Sequence, residues 1–138
     1  MSYSIHAAIA ALMLATSALA EGDTEAGKKA FNKCKACHTV VSASDEVIVK
    51  GGKTGPNLYG VDGRAAGAVE GYNYGPGLVA AGENGLVWDE TTFVEYTTDP
   101  KKFLQTYLDD PKAKSKMAFK LKKGGEDIYA FLVSVNAQ

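Results

Sequence analysis

Cysteine, histidine and methionine are scarce: two, two and three in 138 residues, beside a single tryptophan and four prolines. Two cysteines cannot build the disulfide framework of a small secreted scaffold. An excess of either charge is missing as well. With 15 basic and 16 acidic residues the net charge is −1, which gives no reason to expect a nucleic-acid partner. Apolar residues at 46% and charged residues at 22% exclude a disordered chain. The length fits one domain, and no internal repeat or low-complexity linker divides it.

Charge is also absent locally. Residues 1–20 contain no Lys, Arg, Asp or Glu. Ala7 to Ala15 is an unbroken apolar run, much shorter than the roughly 20 residues that span a bilayer. Ala18-Leu19-Ala20 then gives the small-x-small pattern of a cleavage site. The positive region of such a leader is reduced to the α-amino group and His6; the alternative is an uncleaved anchor. The sequence thus predicts a signal peptide over residues 1–20 and one exported, periplasmic domain over 21–138.

Within that domain the predicted elements are helical. Asp23 or Thr24 can cap a helix running to about Lys35, with Ala26, Ala30, Phe31 and Cys34 on one face. Asp89 can cap a second carrying Phe93, Tyr96 and Thr97. Asp99-Pro100 ends it and starts a third, with Phe103, Leu104, Tyr107 and Leu108, which stops before Pro111. After Gly124-Gly125, the residues Ile128, Phe131, Leu132 and Val135 form the clearest amphipathic stripe. Thr39 to Val87 is glycine-rich and without period, and no strand is expected. A loop that long belongs in a compact domain only if it wraps something.

What it wraps is indicated by Cys34-Lys35-Ala36-Cys37-His38, the C-x-x-C-H attachment pattern of a c-type haem. Two thiols about one turn apart can each form a thioether to a haem vinyl group, and the imidazole that follows faces the iron. A redox C-x-x-C wants a βαβ setting, which is lacking. A zinc site needs about four ligands, and after residue 20 the chain has only these two cysteines and one histidine. A plain disulfide is the remaining alternative.

Beyond residue 20 there is likewise one methionine, Met117, in the polar stretch Ser115-Lys116-Met117-Ala118-Phe119. Ligation by two histidines of one chain is impossible. His38 and Met117 are therefore the candidate iron ligands, an arrangement that raises the reduction potential. The ordinary alternative is a flexible surface methionine.

Residues 21–138 resemble the class I c-type cytochromes, most closely the bacterial cytochrome c2 group. Besides the haem motif the likeness rests on Gly27, Phe31, Thr54-Gly55-Pro56-Asn57-Leu58, Gly63-Arg64, Gly71-Tyr72-Asn73-Tyr74, Trp88, Tyr96, Asp99-Pro100 and Lys116-Met117-Ala118-Phe119. The resemblance implies an all-α small cytochrome c fold, with several helices and long loops around one covalent haem. It implies that the Pro56 carbonyl orients His38, that Tyr74 and Trp88 donate to a buried propionate, and that Arg64 offsets its charge. It further implies a bond from Tyr96 to the Met117 sulfur and one from Ser115 to a propionate, and a close crossing of the Gly27/Phe31 face with the last helix near Phe131. The ordinary alternative for the aromatics is simple core packing. The loops before Pro56 and Met117 are longer than in the shortest family members.

The function the resemblance implies is a monomeric periplasmic electron carrier, not an enzyme. It would run from the cytochrome bc1 complex to a photosynthetic reaction centre or a terminal oxidase. Two other classes compete: a peroxidase-like or gas-binding haem protein with an open sixth position, and a haem-free thiol–disulfide oxidoreductase. Lysines are concentrated near the motif residues in sequence. Lys33, Lys35, Lys53, Lys101, Lys102, Lys116, Lys120 and Lys122 are candidates for transient docking on an acidic partner, with Lys50, Lys112, Lys114 and Lys123 close by. For any single lysine, solvated surface is the ordinary reading.

Overall fold

The computed structural model describes residues 22–136, so the expected leader, residues 1–20, lies outside the described residues. Asp23 opens helix α1 (Thr24–Ala30) by accepting the Ala26 N–H at 2.9 Å, which satisfies a first-turn donor. The helix is shorter than the sequence predicts. After Ala30 it tightens into a 3₁₀ turn, Phe31–Lys33, and the chain then coils directly into the cysteine motif.

Helix α1 lies against the C-terminal helix α5 (Gly125–Asn136), whose Ile128, Tyr129, Phe131, Leu132 and Val135 are buried. A Cβ on Gly27 would fall 1.8 Å from the Asp127 carbonyl oxygen, so only glycine allows this approach. Phe31 and Phe131 pack beside the crossing with ring centroids 5.8 Å apart. Each such buried side chain contributes about 1.5–3 kcal/mol relative to exposure.

Helices α3 (Glu90–Thr98) and α4 (Pro100–Tyr107) are separated by the single residue Asp99. Asp89 and Thr92 form a reciprocal capping box at the start of α3, and Asp99 accepts the Lys102 N–H at 3.1 Å to cap α4. Pro100 at the first position of α4 has no N–H to waste. Helix α4 ends at Tyr107 with Leu108 as its cap, before Pro111 as the sequence predicts, and Asp109 follows with a left-handed φ of 48°.

Between Thr39 and Val87 the structure corrects the expectation of a region without regular elements. Two short antiparallel strands are present, β1 (Val40–Val41) and β2 (Val47–Val49), joined by a tight polar turn. Helix α2 (Pro76–Glu83) follows. Its sequence hides it, because glycines at 77 and 82 remove two apolar markers. Both glycines are contact points: added Cβ atoms would lie 2.5 Å from the Lys114 carbonyl and 2.0 Å from the Ala66 carbonyl. The fold is otherwise the helical, long-looped architecture the sequence predicts. Among the described residues no helix is long and apolar enough to cross a membrane.

Candidate haem site

The Phe31 carbonyl accepts both the Cys34 N–H at 2.8 Å and the Lys35 N–H at 3.1 Å. The Cys34 carbonyl in turn accepts the N–H groups of Cys37 at 3.1 Å and His38 at 3.0 Å, which coils the motif into one turn. Cys34 is half-buried, Cys37 is exposed, and both thiols are free. Burial pushes the Cys34 thiol up to about 11, with Cys37 adding to the shift and Lys33 opposing it. A protonated, half-buried thiol is the opposite of the activated thiolate that disulfide exchange needs.

His38 is held by the loop before Asn57. Its Nδ1 lies 2.8 Å from the Pro56 carbonyl oxygen. Gly55 lies across the ring: a Cβ there would meet His38 Cε1 at 2.3 Å. Gly51 and Gly52 press equally close to the carbonyls of His38 and Ala36, where Cβ atoms would fall at 1.9 and 2.1 Å. In the sequence Gly51 and Gly52 count only toward the glycine content of the loop, yet each marks a backbone contact with the motif. Burial lowers the His38 pKa below its ordinary value, with the Pro56 bond partly opposing. A neutral ring donating from Nδ1 keeps the Nε2 lone pair available to a metal.

Met117 lies in the irregular segment between α4 and α5, half-buried against the core. The segment is tied down on both sides. Lys116 Nζ donates to the Asn73 carbonyl at 2.5 Å, and Leu121 N donates to the Thr97 carbonyl at 2.8 Å. The Tyr96 hydroxyl and Ser115 Oγ lie 3.4 Å apart, so the two groups assigned separately to sulfur and propionate here face each other. Trp88 is buried with its ring 5.1 Å from that of Tyr96. The Tyr74 oxygen accepts the Val69 N–H at 3.1 Å, which leaves its own proton free to donate.

Arg64 provides the test of fit for a propionate-bearing group. Its terminal nitrogens donate to the carbonyls of Tyr59 at 3.0 Å and Asn57 at 3.3 Å, but its buried Nε–H has no partner among the described residues. Burial lowers its pKa, with Tyr74 opposing. A buried guanidinium with an unanswered N–H calls for an acceptor, and a propionate oxygen would answer both the bond and the charge. Together with two free thiols one turn apart and an imidazole with a free Nε2, these donors fit a covalent haem.

All eight candidate docking lysines are exposed. Two have internal partners. Lys116 reaches Asn73 and stands 5.0 Å above the centre of the Tyr72 ring, and Lys120 pairs with Asp99 at 2.9 Å.

A scan against protein-family models finds no match. Known proteins do match. The chain is 61% identical over 136 residues to cytochrome c-551 of Roseobacter denitrificans, covering 99% of this chain and 97% of that protein. It is 53% identical over 129 residues to cytochrome c2 of Rhodobacter capsulatus, covering 94% and 93%. Among solved structures, cytochrome c2 of Rhodobacter capsulatus superposes with a TM-score of 0.81 at 53% identity, over 83% of this chain and 98% of that one. Ferric cytochrome c-550 of Paracoccus versutus gives 0.81 at 51%, over 84% and 99%.

Proposed function

Since the chain belongs to the class I c-type cytochromes, in the cytochrome c2 group, we propose that it is a periplasmic shuttle carrying single electrons from the cytochrome bc1 complex to a photosynthetic reaction centre or a terminal oxidase. As a cytochrome it is an electron-carrying haem protein. The observation that carries the reading is His38, gripped by Pro56 and Gly55 and placed directly after two free thiols on one turn.

The bound haem iron supplies the one-electron couple. The chain's own residues do the rest. Cys34 and Cys37 anchor the group, and His38 offers Nε2 while the Pro56 carbonyl fixes the plane of its ring. Met117 offers a soft thioether, which favours the ferrous state and raises the potential. Arg64, Tyr74 and Trp88 are the donors for propionate charge. With His38 as a ligand and both cysteines consumed by attachment, the proposed role is that of a carrier and not an enzyme.

Docking is transient in this proposal, through a monomer. Lys33, Lys35, Lys53, Lys101, Lys102 and Lys122 meet an acidic partner, while Lys116 and Lys120 first leave Asn73 and Asp99. Steering of this kind speeds encounter by roughly 10- to 1,000-fold at low salt and fades as the screening length shortens to about 8 Å. Stopped-flow oxidation by detergent-solubilised reaction centre or oxidase tests it. The rate should fall steeply with ionic strength, and Lys35→Glu or Lys53→Glu should slow it more than Glu25→Lys changes it. A salt-independent rate, or equal responses to both sets of variants, would contradict the docking face.

A further inference from the structure

We propose that Tyr72 is a positioning residue that ties together the two chain segments carrying His38 and Met117, its hydroxyl fixing one and its ring the other. The proposal rests on the assignment of those two residues as the iron ligands.

The Tyr72 hydroxyl donates to the Thr54 carbonyl at 2.6 Å. The other half of that same peptide unit, the Gly55 N–H, donates to the Cys37 carbonyl at 2.7 Å. One peptide is thereby gripped at both ends, by the cysteine motif and by Tyr72. Pro56, whose carbonyl sits against His38 Nδ1, follows immediately, and the intervening Gly55 covers the imidazole. A small rotation of the peptide would move the acceptor that sets the ring's orientation.

The opposite segment meets the Tyr72 ring. Lys116, the residue before Met117, places Nζ 5.0 Å from the ring centre while donating to the carbonyl of the adjacent Asn73. Tyr74 packs edge-on against Tyr72 at 4.7 Å and fixes the ring from another side. Gly75 completes the seat, since a Cβ there would come within 3.3 Å of Lys116 Cβ. The loop 71–75 thus contacts the segments of both ligands, and Tyr72 is the side chain common to the two contacts.

The two functions of Tyr72 are chemically separable, which makes the proposal testable in the haem-loaded protein. Tyr72→Phe removes the hydroxyl bond and keeps the ring; Tyr72→Leu removes both. Amide hydrogen exchange at Gly55 reads the His38 side, and the rate at which imidazole enters the sixth position of the ferric iron reads the Met117 side. Loss of one hydrogen bond should speed Gly55 exchange by about 2- to 10-fold in both variants. Loss of the cation–ring contact should speed imidazole entry by about 2- to 5-fold in Tyr72→Leu alone. Val135→Ala, remote on α5, is the control for general destabilisation and should not reproduce that split. Wild-type Gly55 exchange in Tyr72→Phe, or equal imidazole rates in the two variants, would overturn the role of Tyr72. If wild-type protein took up imidazole as fast as Met117→Ala, the ligand assignment itself would fall and the proposal with it.

Discussion

The Lys120 ammonium sits 2.9 Å from Asp99 Oδ2, so a lysine that the sequence offers to a partner is held within its own molecule. Asp99 uses its other oxygen to cap α4 through the Lys102 N–H. The bond to Lys120, then the one from Lys102, holds the Asp99 carboxyl below its ordinary value of 3.8. A carboxyl with a lowered folded value stabilises the protein above the ordinary carboxylate range, and the contribution disappears as pH falls through the lowered value. Asp99→Asn should therefore lower the melting temperature at neutral pH and lose less stability on acidification than wild type. Thermal melts followed across the acid range check this; parallel curves for the two proteins would contradict it.

Removal of the thiols should remove the cofactor. Cys34→Ser should impair maturation, and the double change Cys34→Ser/Cys37→Ser should abolish covalent haem, read on a denaturing gel stained for haem peroxidase activity. The protein lacking haem should be largely unfolded by circular dichroism, because the loops from Thr39 to Val87 would have lost what they wrap.

Gly27→Ala tests the helix crossing. The added Cβ would overlap the Asp127 carbonyl at 1.8 Å, so α1 and α5 must separate. Overpacking of this kind costs about 1–3 kcal/mol, and more where backbone is the obstacle. Chemical denaturation should show that loss with the visible spectrum unchanged in native buffer.

What was legible in the sequence followed from residues with one structural solution. Asp89 and Asp99 before their helices, the stripe Ile128/Phe131/Leu132/Val135, and C-x-x-C-H with one downstream methionine all have short-range or inventory logic. Helix α2 was not legible, because Gly77 and Gly82 are chosen for close contact with distant carbonyls rather than for helix propensity. The strands at Val40 and Val47 are too short for an alternating pattern to register. The grip of Gly51, Gly52 and Gly55 on the motif depends on atoms remote in sequence, as does the capture of Lys120 by Asp99.

The central claim is a covalent haem ligated by His38 and Met117. The visible and near-infrared spectra of exported wild-type protein and Met117→Ala, oxidised and reduced, test it most directly. Wild type should show low-spin haem with a weak ferric iron–thioether charge-transfer band. Met117→Ala should keep the haem, lose that band, drop in potential and bind exogenous ligands faster, or recruit a neighbouring lysine such as Lys114, Lys116 or Lys120. An unchanged band and potential in Met117→Ala would remove Met117 from the iron, and a colourless wild-type protein, from cells with intact haem-attachment machinery, would contradict the account as a whole.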